Sequence, residues 1–358
     1  MKKLIFLTMI LMLSCDPFHT EFNDNESARY REAKEITETT ENSSELKIMN
    51  WNIKFGGARI DFFFDCYGDR VIMTKDEVNS NMKKLAEKIN KENPDILFVQ
   101  EADINSKRAA YVDQVQYLLD HTKLNYGVYA SQWKADYVPS DGIGKVDTGN
   151  AILSKYPLKD AKRIALPLMS SQDSLTKYFY LRRNILSSYI TWKNKKIHLL
   201  AIHTSAYSQD GTKLKQIKIL KEKIDEINKN SEAFIAGGDL NTIPPKSEKL
   251  KNFPDSICTD EDFQADDYSA DLGILDDFYT DYTPAISLND YEADNSKYFS
   301  HTTNKNGFWN RKLDYLFTNA KFKNGLIHQN IERGGTETMR LSDHAPLTVT
   351  FSFNEGNK

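Results

Sequence analysis

Four short polar clusters stand at the ends of apolar runs. They are Asn52 in MNWNI, Glu101 in DILFVQE, Asp239 with Asn241 in FIAGGDLNT, and Asp343-His344 in LSDHAPLTVTF. Carboxylate and amide oxygens gathered in one place suit a hard divalent cation such as Mg²⁺, and an imidazole beside them suits proton transfer. Those are the groups that hydrolysis of a phosphate ester needs. Singly, each has a plainer reading: Asn52 and Glu101 as strand-end polar residues, Asp343 as a turn cap. The GDLN run is more specific, because Gly237-Gly238 permit a tight backbone that puts Asp239 at a strand exit.

Buried strands must carry these clusters to one rim. A strand covered on both faces reads as a continuous apolar run. Residues 46–53, 95–100, 198–203, 233–236, 313–318 and 347–353 fit that pattern. Val78, Met82, Leu85, Ala86 and Ile89 repeat at helical spacing, with Pro94 at the stop. Leu214, Ile217, Leu220, Ile224 and Ile227 mark a second amphipathic helix. Strands alternating with helices predict α/β layers. Residues 255–305, acidic and rich in Asp and Tyr, are expected to form a long loop or insertion near the site.

The 358 residues suffice for one large α/β domain or two modest ones. A net charge of −4 gives no general attraction to nucleic acid, although local basic patches can still supply one. Residues 1–15 read as an export signal: Lys2 and Lys3 precede an apolar stretch too short to span a bilayer. Ser14-Cys15 then resembles a lipoprotein cleavage site, which predicts a membrane anchor on Cys15; the alternative is plain secretion. Residues 16–45 are polar and acidic and are expected to be a disordered tether, with one domain over 46–353. Cys66 and Cys258 would remain, able to pair in an oxidising compartment but in no CxxC. His198 and His203 lie five apart on one strand and face opposite ways, so they cannot chelate one zinc ion. His19, His121, His301 and His328 show no ligand spacing and read as surface or packing residues.

The ordered set WNI, VQE, GNAILS, IHTSA, GDLN, LDYLF and SDHAP resembles the endonuclease/exonuclease/phosphatase superfamily, the DNase I-like fold, over roughly residues 46–353. The resemblance implies a four-layer α-β-β-α sandwich with the site at one edge of paired sheets. It implies Glu101 as the main Mg²⁺ ligand, with Mn²⁺ as a substitute, and Asn52 and Asp343 near the ion directly or through water. Asp239 would orient and deprotonate the attacking water, and Asn241 would hold the water or a phosphate oxygen. His344 would act at the phosphate with Asp314 fixing its ring, and His203 would contact the phosphate from the other side. Asn150, Arg182 and Arg183 are candidate phosphate contacts; the arginine pair could equally be a solvated surface feature.

Thr242-Ile243 follow GDLN where inositol-phosphate 5-phosphatases carry Tyr-Arg, which disfavours that branch. The expected activity is a Mg²⁺-dependent phosphodiester hydrolase, an exported monomer acting on nucleic acid in preference to a lipid headgroup. A sphingomyelinase-like phospholipase C and an inert surface binding protein are the alternatives. Phe62-Phe63-Phe64 and Phe308-Trp309 would reach a bilayer in the first of these, and otherwise pack in the core.

Overall fold

The apolar runs become the central strands of two seven-stranded sheets in the computed structural model, which describes residues 16–39, 43–259, 265–329 and 338–354. The first sheet contains, in spatial order, β1 (Asn25–Ser27), β7 (Lys159–Ala165), β8 (Asn184–Trp192), β9 (Lys195–His203), β10 (Ala233–Asp239), β12 (Asp314–Thr318) and β11 (Thr283–Pro284). The second runs β13 (Lys321–Ile327), β14 (Leu347–Ser352), β3 (Leu46–Asn52), β4 (Ile96–Asp103), β6 (Gly144–Ser154), β5 (Tyr126–Val138) and β2 (Arg29–Glu32). The helices are α1 (Lys75–Glu92), α2 (Gln114–His121), α3 (Ser174–Phe179), α4 (Thr212–Lys229), α5 (Asp276–Asp281) and α6 (Leu288–Ala293).

Each sheet has one parallel pair at its centre, β3 with β4 and β9 with β10, and is antiparallel elsewhere. Parallel neighbours need a crossover. Helix α1 supplies it in one sheet and α4 in the other. Thr74 and Glu77 form a capping box that starts α1, and Asn93 ends it in a left-handed conformation just before Pro94. The face of α1 expected from spacing, Val78, Met82, Leu85, Ala86 and Ile89, is the face it buries.

Alternation along the strands divides the core into layers. Ile48, Ile96, Phe98, Ile197, Leu199, Leu347 and Val349 meet between the sheets. Met49, Trp51, Leu97 and Val99 point outward under α1 and α2, and Leu200, Ile202, Phe234 and Ala236 pack under α4. This is the four-layer α-β-β-α sandwich.

The stretch 16–45 departs from the expected tether. β1 pairs with β7 and β2 pairs with β5, so the segment straps one edge of each sheet. Its polar composition hides this, because edge strands are held by backbone pairing and need little apolar burial. Arg29 Nη1 also donates to Asp147 Oδ2 at 2.9 Å, and the Ala161 amide donates to the Tyr30 hydroxyl at 2.7 Å. The acidic stretch 255–305 is likewise not one long loop, since it folds into α5, β11, α6 and short turns. Cys66 and Cys258 form a disulfide, with Cα atoms 6.1 Å apart. The signal segment 1–15, including Cys15, lies outside the described residues. Among the described residues no helix is long and apolar enough to cross a membrane.

Candidate active site

The strand ends of both parallel pairs meet at one rim. β3 ends at Asn52 and β9 ends at His203, opposite Asp239 at the end of β10. Glu101 needs a further device. The pairing of β4 with β6 shifts register between Val99 and Ala102, and Glu101 takes a φ of 58°. A bulge of this kind re-aims a side chain, at the cost of a backbone conformation rare for a non-glycine residue. Gly237 and Gly238, at φ 153° and 147°, let β10 lie against its neighbours: a Cβ there would collide with the carbonyl oxygens of Tyr315 and Ile202.

A hydrogen-bond chain joins the clusters. Asn52 Nδ2 donates to Glu101 Oε1 at 3.0 Å and to Asp239 Oδ2 at 3.1 Å, while its Oδ1 accepts from the Lys54 amide. His344 Nδ1 lies 2.8 Å from Asp314 Oδ2, and Asp314 Oδ1 accepts from Asn50 Nδ2. Two imidazoles converge on Asp239 Oδ2, with His203 Nε2 at 3.3 Å and His344 Nε2 at 3.5 Å. The other oxygen, Oδ1, accepts from the Asn241 amide at 3.0 Å. Trp51 Nε1 donates to the His344 carbonyl and Ser342 Oγ to the Asn52 carbonyl, which ties the 342–344 turn to β3.

Burial and neighbouring charge set the protonation states. Burial alone would lower the pKa of His344, but Asp314 and Asp239 outweigh it and push it up to about 10. It is an imidazolium at neutral pH. Burial raises Asp239 to about 6, against the opposing pull of His344. His203 is held well below the ordinary value by burial, then by Arg183 and His344, and is neutral. Burial, followed by the like charge of Asp343, raises Glu101. Asp343 is lowered: burial works against this, but Lys54 and His344 outweigh it.

These side chains line a cavity of about 170 Å³. Glu101, Arg183, His203, Asp239, Asn241, Asp343 and His344 are on its wall; Asn52 and Asp314 hold wall residues from behind. A larger depression of about 620 Å³, lined by Ile243, Trp309 and Arg311 among others, carries none of these groups.

Residues 49–344 match the Endonuclease/Exonuclease/phosphatase family. The chain belongs to it. Solved structures from the superfamily share the fold at low identity. An endonuclease/exonuclease/phosphatase from Beutenbergia cavernae is 15% identical, with 87% of this chain and 72% of that one covered at a TM-score of 0.55. The human Nocturnin catalytic domain is 15% identical over 91% of this chain and 97% of its own, with a TM-score of 0.55. Truncated Caenorhabditis elegans TDP2 is 20% identical over 87% and 98%, with a TM-score of 0.50. No curated protein matches the sequence. Members of the endonuclease/exonuclease/phosphatase family are generally phosphoesterase hydrolases, and they usually use divalent metal ions.

The donor set of this family member fits a hard cation. Glu101 and Asp343 oppose each other's charge, and the amide of Asn52 is the hydrogen-bond donor shown for Glu101. Removing that repulsion is what a bound cation does. His301, Asp343 and His344 also come together, with one donor atom from each within 4.8 Å of the others. His344, protonated and fixed on Asp314, has no lone pair to offer there, so the carboxylates of Glu101 and Asp343, with Asn52 holding Glu101 from behind, are the better site.

Among the candidate phosphate contacts the arginine pair splits. Arg183 is buried on the cavity wall, with Nη1 bonded to Gln132 Oε1 at 2.8 Å and no carboxylate partner among the described residues. Arg182 is not on the wall; its carbonyl accepts from Arg163 and its amide donates to the Gln132 carbonyl. Asn150 is fully buried behind the wall, with Nδ2 directed at the Asn184 carbonyl, and does not line the cavity. His301, read from the sequence as a surface or packing residue, packs at the site itself. Its ring packs 4.4 Å from that of His344, on the cavity wall. Isolated bridges to Arg311 and to His344 seat it there, and the second is a long-range pairing with no local sequence signal. The aromatic clusters divide too: Phe62 and Trp309 are buried, Phe63 and Phe64 are partly exposed, and Phe308 is 88% exposed.

Proposed function

We propose that this protein is an exported, Mg²⁺-dependent phosphodiester hydrolase acting on nucleic acid. The observation that carries the reading is the carboxylate Asp239 held between a protonated and a neutral imidazole, joined through the Asn52 amide to Glu101 and facing Asp343 across the cavity. Glu101, Asp343 and Asn52 would hold the cation, whose charge would offset that of the phosphate. Asp239, with its pKa near 6, accepts a proton from the attacking water. The water oxygen bonds to phosphorus as the ester P–O bond breaks. His344 supplies a proton to the departing oxygen, and Asp314 keeps the ring oriented. Neutral His203 and Arg183 face the phosphate oxygens, with Asn241 beside the water. The products are a phosphate monoester and an alcohol.

Hydrolysis of bis(p-nitrophenyl) phosphate by the purified chain tests the chemistry. Activity with Mg²⁺ that EDTA removes is expected; equal turnover with chelator present would reject the metal. A lipid-headgroup hydrolase is the second reading, favoured by exposed Phe308. Release of phosphocholine from sphingomyelin vesicles would select it. Export and anchoring at Cys15 are supported by the Lys2-Lys3 apolar leader and by the Cys66–Cys258 bond, which suits an oxidising compartment. Fatty-acid labelling that survives Cys15→Ser would refute the anchor.

A further inference from the structure

The turn that follows β3 is held in a strained conformation. Lys54, Phe55, Gly56 and Ala58 all take left-handed backbone, at φ 44°, 43°, 66° and 51°. Non-glycine residues persist there only when their surroundings over-determine them, and such strain gathers at functional sites. The surroundings here do so. Gln114 Nε2 donates to the Phe55 carbonyl at 2.6 Å and Asn81 Nδ2 to the Gly56 carbonyl at 2.9 Å. The guanidinium of Arg108 lies 3.8 Å over the buried Phe55 ring.

What this turn delivers is Lys54. Its backbone N–H donates to Asn52 Oδ1 at 3.0 Å, which leaves Nδ2 of that amide to face Glu101 and Asp239. Its side chain, 8% exposed, lies on the wall of the catalytic cavity. Nζ donates to Asp65 Oδ2 at 2.9 Å and to the Ile60 carbonyl at 3.4 Å, and stands 3.9 Å from Asp343 Oδ2. Asp65 is itself fixed, by the Phe62 amide at 2.9 Å and by the disulfide at the next residue. A buried ammonium anchored on one carboxylate is thus held beside a second one, which belongs to the cation site.

Two positive charges that share a carboxylate compete for it. A divalent ion at Asp343 would meet the Lys54 ammonium across the same carboxyl group, in surroundings where little water screens their repulsion. We propose that Lys54 is a positioning residue for the cation site: a fixed positive charge that holds one side of Asp343, leaves room for a single divalent ion, and keeps that ion loosely bound. The inference rests on the cation reading of Glu101 and Asp343 above.

Titration of the metal-free full chain with Mn²⁺, followed by the electron paramagnetic resonance of the free ion, reads number and affinity without turnover. The parent should bind one Mn²⁺ per chain; two would overturn the inference whatever the variants do. Lys54→Met should bind Mn²⁺ at least ~10-fold more tightly, the scale of a full charge removed from a few ångströms away. Damage to the fold would weaken binding instead, so the two effects have opposite signs. Lys54→Gln, which can still bond Asp65, should show the same tightening and replaces Lys54→Met if circular dichroism finds that variant unfolded. Lys54→Arg restores a permanent charge and should return the affinity to within about threefold of the parent. Lys162→Met removes an equal charge from the exposed edge strand β7 and should leave the affinity unchanged, which separates a local effect from net charge. A folded Lys54 variant with unaltered or weaker Mn²⁺ binding would overturn the inference, while binding by the parent would keep the cation reading intact. A parent chain that binds no Mn²⁺ would sink the cation reading itself, and this inference with it.

Discussion

The two parallel pairs are built alike but place different chemistry at the rim, and the proposed mechanism gives them different work. β3–α1–β4 and β9–α4–β10 each place two polar side chains at the same rim, but the solvent they see differs. Glu101, at the end of β4, and Asp343, in the turn that precedes β14, are partly open to the cavity. His203, Asp239 and Asp314, from the first, are almost wholly dry. An open pair of repelling carboxylates is suited to capturing a cation from water. A dry carboxylate between imidazoles is suited to moving protons, because burial brings its pKa toward neutrality. In the proposed mechanism the first unit contributes to a metal half and the second to a proton half, and the carboxylates assigned to the cation are the more open ones.

The largest expected effect falls on the proton half. Asp239→Asn should lower kcat by at least ~10²-fold, as removal of a positioned base does, while the Mg²⁺ concentration for half-maximal rate stays within about twofold. A variant that lost rate only through weaker metal binding would erase the distinction between the halves. Glu101→Gln tests the other side. Its half-maximal Mg²⁺ concentration should rise by roughly 10-fold or more, the scale on which metal sites respond to lost ligands and their supports. A metal titration that overlays that of the parent would take Glu101 off the ligand set.

Asn52 bridges the halves, since one amide nitrogen touches both Glu101 and Asp239. Asn52→Ala should therefore lower kcat and weaken Mg²⁺ dependence together, the mixed signature that neither preceding variant gives. If only one parameter moved, the bridge would belong to that half alone.

Much of this placement of residues was legible in the chain, and the reasons for the gaps are physical. Asn52, Glu101, Asp239 and His344 announce themselves because each ends an apolar run, and a buried strand leaves few places for a polar residue. The faces of α1 and α4 were readable from spacing for the same reason. The edge strands β1 and β2 were not, because pairing to a sheet edge uses backbone groups that every residue has. His301 was hidden because its bridge to His344 joins segments far apart in the chain. Burial itself, which sets the assigned carboxylates apart, is a property of the packed sandwich and is carried by no one segment. Arg182 and Arg183 make the point in two adjacent residues: Arg183 lines the cavity and Arg182 does not.

The finest test uses pH. The reacting form needs Asp239 ionised and His344 protonated. Asp239 has its pKa raised to about 6, so its ionised fraction, and with it kcat, should rise as pH increases through about 6. His344, raised to about 10, should hold its proton across the neutral range and cause a second fall only toward pH 10. Cation bound in the neighbouring half adds positive charge near Asp239 and favours its ionised form, so the acid limb should move to lower pH as Mg²⁺ is raised. Asp314→Asn removes the first charge that holds the proton on His344, so the alkaline limb should move down while the acid limb is less affected. Rate profiles at two Mg²⁺ concentrations read both shifts. An acid limb that ignores Mg²⁺ would mean the two halves are electrostatically independent, and the division of labour would then be one of place only.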